Sequence, residues 1–575
     1  MKKWKLASLI IAVAMGLVWY YYATNTIFNQ ALQQAEGLRS MRWRNNERIA
    51  GKQHRLESHW HVDQLASSNG PVQTLSYRSL KLAAVTDIYR VRNQRQLAQQ
   101  LRGLRRRRAY PLSHPLLVAN PFLTNTTGVY VYFKTPQPTR VTVRISAAGY
   151  ADFAAKLITA PQTYSKTHEA QIIGAVGGVK NTITLTATTR DGQHRTQQFT
   201  YQPRPLQGMV ANSYRQQLTA KPRQLSQGLY AVLGQQGKTP IRGAYLLDNA
   251  GVVRAEMPLA QASAQQLVVD RQRLYLGISR SRLASLNRLG QVTQVINLRQ
   301  QGYELGSDLL VDHGHQIWAL ASSVNQPQRQ DQVIKLNPRT GQITRSIQLA
   351  NLLPSLYQLA ISGGHGHQDV LQLNSLAFAG HQLLLSSRET STVIAIKHPN
   401  TQPQLAYLMG DPAIWQVLGS TSAFLLQKQG AFLSMAGQHS IQVTTGLGLK
   451  AGQYYLTAFN NNFLQMNSRT GLNLQSFYRK QGGLTINSPV SLVDRYLVDP
   501  QARTYRLISR VKVPKTDFDG SVQQFTQHLI VSTGAQSQIK EYRSSGQLLQ
   551  TLTNRGAGRI GLVQKLTFNQ YYFAP

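Results

Sequence analysis

The second part of the chain repeats one pattern, and that repeat restricts the fold more than any other feature. From about Arg204 to Pro575 the pattern is a strand, a turn, a strand ending in small residues, a loop, a third strand, an Asx/Gly turn and a fourth strand. LVVDRQRLYLGIS (267–279) with LASLNRLGQVTQVINL (283–298) is one version, and LLVDHGHQIWALAS (309–322) with VIKLNPRTGQITRSIQL (333–349) is another. SLAFAGHQLLLSS (375–387) with VIAIKHPNTQPQLAYLMG (393–410), and QFTQHLIVST (524–533) with IKEYRSSGQLLQTL (539–552), follow the same order. Turns such as N-P-R-T-G-Q and S-S-G-Q each join two strands as a hairpin. Roughly 370 residues at about 60 per unit predict a six-bladed β-propeller over 204–575. A pair of β-sandwiches is the competing all-β arrangement, and it does not require the recurrence.

Composition fits a chain with a sizeable core. Of 575 residues, 42% are hydrophobic and 15% charged. The 62 Lys and Arg against 23 Asp and Glu leave a net charge of +39. So few carboxylates disfavour an all-carboxylate metal cage or a paired acid/base carboxylate mechanism. The absence of cysteine removes disulfides, thiolate zinc sites, iron–sulfur clusters and cysteine nucleophiles. No motif calls for a cofactor.

Residues 1–23 read as a short cytoplasmic tail and a transmembrane signal anchor. Lys2, Lys3 and Lys5 precede the uncharged run LASLIIAVAMGLVWYYYA (6–23). Eighteen helical residues reach about 27 Å, enough for a hydrocarbon core. The Trp19–Tyr22 end suits an interfacial belt better than a cleavage site, and the lysines hold the N-terminus in the cytoplasm. The expectation is a single-pass cell-membrane protein whose remaining domains lie outside the cell. Nucleic acid is then not a partner. The cell membrane is one, and anionic wall polymers are natural counterparts of the basic surface.

Residues 24–110 are polar and rich in Gln and Arg, and they read as a helical, membrane-proximal stalk. The Arg105–Arg108 run reads as a solvated turn or linker, with a polyanion contact as the alternative. At Pro111 the character changes. VYVYF (129–133), RVTVRI (140–145), NTITLTATT (181–189) and QQFTY (197–201), separated by turn signals such as Thr135-Pro136 and Asp191-Gly192, predict a small β-sandwich over 111–203. The fold class is therefore mainly β.

Three stretches carry candidate chemistry: Glu304 to Asp308; Asp369 to Ser375 followed by Ser386-Ser387-Arg388; and Gly437 to Ser440 followed by Phe459 to Asn462. The run Leu373-Asn374-Ser375 to Ser386-Ser387-Arg388, closing at Gly410-Asp411-Pro412, resembles the bacterial arylsulfotransferases that work without a nucleotide sulfate donor. Gln438-His439 with the later F-[DN]-N strand end is similar too, as is the stretch from His168-Glu169 through Gly174 to 180–186 in the N-terminal β-domain. The resemblance spans about Leu112 to Pro575. It implies sulfuryl transfer from an aryl sulfate to a phenol through a sulfohistidine, with no cofactor. By position, His439 matches the nucleophile and Arg388 the sulfate-binding arginine, with Asn374 beside them. Two positions depart from the family. Ser307 stands where the family has a histidine before the acidic residue, and Gln372 replaces the histidine two residues before Asn-Ser. Neither replacement can serve as a general acid at ordinary pH. A degenerate enzyme, or a non-catalytic cell-surface propeller binding an anionic ligand around Arg388 and His439, is the alternative.

The remaining groups read as structural. His313-Gly314-His315 and His365-Gly366-His367 lie in glycine-bearing turns with no third ligand, and His59-Trp60-His61 lies in the stalk. Asp517-Phe518-Asp519-Gly520 lacks the flanking acids of a calcium loop and reads as a turn. No metal is expected.

Overall fold

The computed structural model describes residues 70–574 except 81, 210, 235–241, 260–266, 327–330, 359, 361–369, 419–422, 447, 465–488, 518 and 557–559. The apolar segment 6–23, the stalk up to 69, Asp369, and the histidines at 59, 61, 365 and 367 lie outside the described residues. Among the described residues, no helix is long and apolar enough to cross a membrane.

Residues 70–110 are not a solvated stalk. The helix Val91–Arg106 places Leu97, Ala98, Leu101 and Leu104 on one face, and these pack with Leu75, Leu80, Tyr110, Leu116, Val118, Phe122 and Tyr130. Each buried leucine stabilises by roughly 2 kcal/mol, which outweighs a sequence that looks polar when averaged along its length. Gln94 is buried as well. Its amide donates to the carbonyls of Ile88 (2.7 Å) and Phe122 (2.9 Å) and accepts from the Val292 N–H (3.1 Å). Arg105, expected in a solvated turn, instead pairs with Glu169 at 2.6 Å.

The β-domain differs from expectation at Thr135-Pro136. The chain does not turn there: Val129–Ala147 is one strand. Its first part pairs with Leu116–Ala119 and Ser165–Ile172, and its second with Phe153–Leu157 and Asn181–Thr189, which in turn pairs with His194–Tyr201. The ladder to Ser165–Ile172 skips from Lys134 to Thr139, so Pro136 and Pro138 fall where no ladder bond is needed. Burial along 181–189 alternates with period two, as in a half-buried strand. His168 is buried here. It stacks on Phe133 at 4.7 Å, and its ring nitrogens face the hydroxyls of Thr139 (2.9 Å) and Thr159 (2.8 Å).

The repeat region forms six antiparallel sheets. Sheet I holds Leu229–Gly234, Arg242–Leu247 and Val253–Leu259. Sheet II holds Leu267–Asp270, Arg273–Ser279, Arg282–Asn287 and Val292–Asn297. Sheet III runs from Tyr303–Val311 to Ile343–Gln348, and sheet IV from Leu373–Ala379 to Gln404–Met409. Sheet V runs from His439–Thr444 to Thr504–Pro514, with Gln427–Gln429 added in parallel at its edge. Sheet VI runs from Ser521–Phe525 to Leu548–Thr553. Two pairings are far apart in sequence. Val563–Leu566 joins sheet I beside Leu229–Gly234, and Arg215–Leu218 joins sheet VI beside Leu548–Thr553.

Neighbouring sheets bury apolar faces against each other, for example Leu385, Ile394 and Trp415 with Trp318 and Leu320. Serines stitch the first strands together. Ser375 Oγ accepts from the Ile441 N–H (2.9 Å), Ser440 Oγ donates to the Val522 carbonyl (3.0 Å), and Ser521 Oγ accepts from the Val563 N–H (3.1 Å). Between sheets VI and I lies a fully buried ion pair, Lys565 Nζ to Glu541 Oε2 at 2.9 Å. Burial pushes Lys565 down to about 8 against the upward pull of Glu541, so it remains largely cationic at neutral pH.

The β-domain sits on sheets I and II. Thr124 donates to the Gly290 carbonyl, and Thr126 to Glu256, both at 2.6 Å. Arg254 reaches the Gly174 carbonyl at 3.0 Å.

Candidate functional site

His439 begins the first strand of sheet V, and the turn before it is tightly specified. Gly437 has φ +59°, and a Cβ there would run into the Phe463 carbonyl. Its N–H donates to Ser391 Oγ (2.9 Å). Gln438 is buried, and its amide donates to the carbonyls of Ser387 and Thr392, both at 3.0 Å. Asn460 Oδ1 accepts from the Ala436 N–H at 3.0 Å. The Phe459–Asn462 strand end therefore shapes the histidine turn from the neighbouring strand.

Arg388 follows the second strand of sheet IV and is 5% exposed. Its Nη1 donates to Gln372 Oε1 at 3.0 Å, and its N–H to the Gln372 carbonyl at 3.4 Å. Gln372 sits just before Leu373–Ala379 with φ 49°. Asn374 donates its amide to the Gln438 carbonyl at 2.8 Å, tying sheet IV to the histidine turn. Ser307, in the first strand of sheet III, directs its hydroxyl at the carbonyls of Leu373 (3.4 Å) and Asn374 (3.3 Å). The five predicted residues thus lie on three adjacent sheets and are linked through shared contacts around residues 372–374 and 438. Sequence separations of 66 and 67 between Ser307 and its two carbonyl partners collapse to one hydrogen bond.

His439 is 8% exposed, and its Nδ1 has no hydrogen-bond partner. Its pKa is pushed down from 6.5 to about 4, chiefly by burial and further by the Arg388 cation; Asp519 and the Gly520 backbone pull the other way. The imidazole is therefore neutral at ordinary pH.

The sequence places Asp519 in a plain turn. It faces the histidine electrostatically, and its carbonyl is held by the Asn461 amide at 2.9 Å. Gly520 beside it has φ +88° and leaves no room for a Cβ, which would stand 2.6 Å from the Phe459 ring. No sequence signal pointed to Asp519, because its partner lies some eighty residues earlier on another sheet. Asp308 is structural: its two carboxylate oxygens accept the N–H groups of Leu309 (2.8 Å) and Leu376 (2.9 Å), joining sheets III and IV. Burial still pushes its pKa up to about 7. His315 stands in a turn and meets Asp270 at 2.8 Å. Among the described residues, no group of three or more His, Asp or Glu side chains is placed to hold a metal ion.

The family model described as Arylsulfotransferase (ASST) matches residues 215–561, which takes in all five site residues and most of the six sheets. The chain belongs to the arylsulfotransferase family. The family's Ig-like domain matches residues 116–204, the β-domain described above. No curated protein matches the chain. Solved structures resemble it only distantly. A candidate 6-phosphogluconolactonase from Bacteroides uniformis is 11% identical with a TM-score of 0.34, covering 74% of this chain and 99% of that one. A nidogen/laminin complex is 10% identical with a TM-score of 0.31, covering 59% of this chain and 99% of that one. At that level of likeness they bear on neither activity nor ligand.

Proposed function

We propose that this family member performs sulfuryl transfer through His439, at the outer face of the membrane in which residues 6–23 anchor it. The six sheets act as the blades of a propeller, with Val563–Leu566 and Arg215–Leu218 fastening its two ends. One observation carries the chemistry: a buried, neutral imidazole with an unpartnered Nδ1 beside the cation of Arg388. With its proton on Nε2, toward the Gly520 backbone, His439 offers the Nδ1 lone pair to sulfur. The N–S bond forms as the S–O(aryl) bond breaks and a phenolate leaves. An acceptor phenol then attacks sulfur, the N–S bond breaks, and the acceptor proton passes to the released phenolate. Arg388, held by Gln372, neutralises charge on the sulfuryl oxygens.

The reacting imidazole must be neutral. An ordinary histidine is half protonated at 6.5, whereas His439 stays neutral until about 4. The expected profile of kcat/KM is level from pH 7 to 5, with its acid limb near 4. A limb near 6.5 assigned to His439 would contradict the site's electrostatics. The same depression makes folding stability fall as pH drops from 6.5 toward 4, since the unfolded chain takes up a proton the folded one refuses.

The replaced histidines shape the rate. Ser307 directs its hydroxyl to main-chain carbonyls, and Gln372 and Asn374 are neutral amides, so none of the three delivers a proton to the leaving oxygen. Aryl sulfates of acidic phenols should turn over, and those of weakly acidic phenols hardly at all. The double variant Ser307→His/Gln372→His should raise turnover of unsubstituted phenyl sulfate by about 10²-fold. The positive φ at 372 suits this change, because histidine is among the residues enriched there. Equal rates in both proteins would show that these positions do not face the leaving group.

The same two side chains favour a second reading, a non-catalytic propeller that retains an anionic ligand at Arg388. Saturable binding of an aryl sulfate with no phenol release would support it.

A further inference from the structure

The helix Val91–Arg106 carries a feature that neither its packing nor the sulfuryl site uses. Arg92, Arg95, Gln99, Arg102 and Arg106 are all exposed and fall at steps of three and four, one straight stripe about 21 Å long. The opposite face is locked by Leu97, Ala98, Leu101 and Leu104, so the stripe cannot rotate inward. Arg107 and Arg108, just past the helix end, are exposed as well, Arg108 lying over the Tyr110 ring at 5.1 Å. The arginines with local partners are the flanking ones: Arg90 pairs with Asp87 at 2.7 Å and Arg105 with Glu169 at 2.6 Å. The four stripe arginines make no ion pair among the described residues. Carboxylates are scarce nearby: between 64 and 151 there are 13 Lys and Arg and a single carboxylate, Asp87. A helix without one acidic residue, fixed with its cations outward, is suited to an external anion.

We propose that this stripe docks on the anionic lipid headgroups of the membrane that holds residues 6–23. The inference rests on the membrane-anchor reading above. Lipid is favoured over a flexible polymer for two reasons. The stripe is straight and continuous, which suits a plane, and it follows the anchor in sequence, so tethering raises the local concentration of that surface. Each arginine near such a surface strengthens attachment about fivefold, and the four together by two to three orders of magnitude at low salt.

The cysteine-free sequence makes the test clean. The full chain carrying Gln99→Cys with an environment-sensitive fluorophore is reconstituted into lipid nanodiscs of phosphatidylcholine alone or with phosphatidylglycerol, both containing a headgroup quencher. The expected result is quenching in anionic discs only, reversed by high salt and by Arg92→Gln/Arg95→Gln/Arg102→Gln/Arg106→Gln. Protein that enters both discs with equal, weak quenching overturns docking while leaving the anchor standing. Protein that enters neither removes the anchor and the docking proposal with it. Loss of quenching in anionic discs on adding stoichiometric soluble polyphosphate, with tighter binding to that polymer than to lipid, overturns the lipid assignment.

Discussion

His439→Ala should abolish release of phenol from a chromogenic aryl sulfate in the presence of an acceptor phenol, with turnover expected to fall by at least about 10³-fold. The size follows from what the side chain supplies. On the proposed mechanism the imidazole is the nucleophile: it is buried and neutral beside Arg388, and its Nδ1 has no hydrogen-bond partner. Its neighbours do not replace it, since Gln438 is fixed by main-chain carbonyls and Asn374 by the Gln438 carbonyl. The fold should survive, because the turn is held by Gly437, Gln438 and Asn460 rather than by the imidazole. Arg388→Ala should cost activity through weakened sulfate binding, seen mainly in KM. A His439→Ala protein that keeps a tenth of the wild-type rate would remove the nucleophile assignment.

The second large effect concerns the seam between sheets VI and I. Lys565 and Glu541 are both 0% exposed, and Glu541 also accepts from the Ser226 N–H (2.7 Å), the Ser226 hydroxyl (2.8 Å) and the Tyr230 hydroxyl. Lys565 further donates to Asn249 Oδ1 at 2.7 Å. Ser226 thereby meets Glu541, and Asn249 meets Lys565, across 315 and 316 positions of sequence. Lys565→Met leaves a buried carboxylate without its cation and should destabilise by about 3–5 kcal/mol in urea unfolding. Lys565→Met/Glu541→Leu should recover most of that loss, because the cost lies in the stranded charge rather than in the missing attraction. A single-variant loss below about 1 kcal/mol would mean the seam is held by its apolar contacts, such as Tyr230 and Ile530, alone.

Much of this fold is legible in the amino-acid order, and the exceptions share a cause. The hairpins at 267–298, 309–349, 375–410 and 524–552 appear where alternating apolar residues and Asx/Gly turns place them, because strand and turn preferences act over a few residues. The Thr135-Pro136 dipeptide misleads because proline disturbs a strand only where a ladder bond is needed, and at 135–138 none is. The Val91–Arg106 helix looks like a solvated stalk because its averaged composition is polar, while its four buried apolar positions share one face. The nearness of Arg388 and His439 follows from family likeness rather than from local pattern, and the part of Asp519 was hidden for the same reason. A contact between strands of different sheets leaves no mark in either segment. The Lys565–Glu541 seam is invisible on the same grounds: one lysine and one glutamate in unrelated strands carry no signal that they meet in a dry interface.

The central claim is a covalent one and can be read directly. Protein mixed with a chromogenic aryl sulfate in the absence of acceptor, quenched rapidly under alkaline conditions and digested, should yield a peptide containing His439 heavier by one sulfuryl group. Added phenol should discharge it. If the aryl sulfate binds and phenol is released while no sulfuryl group appears on His439, or the group appears on another residue, the account is contradicted.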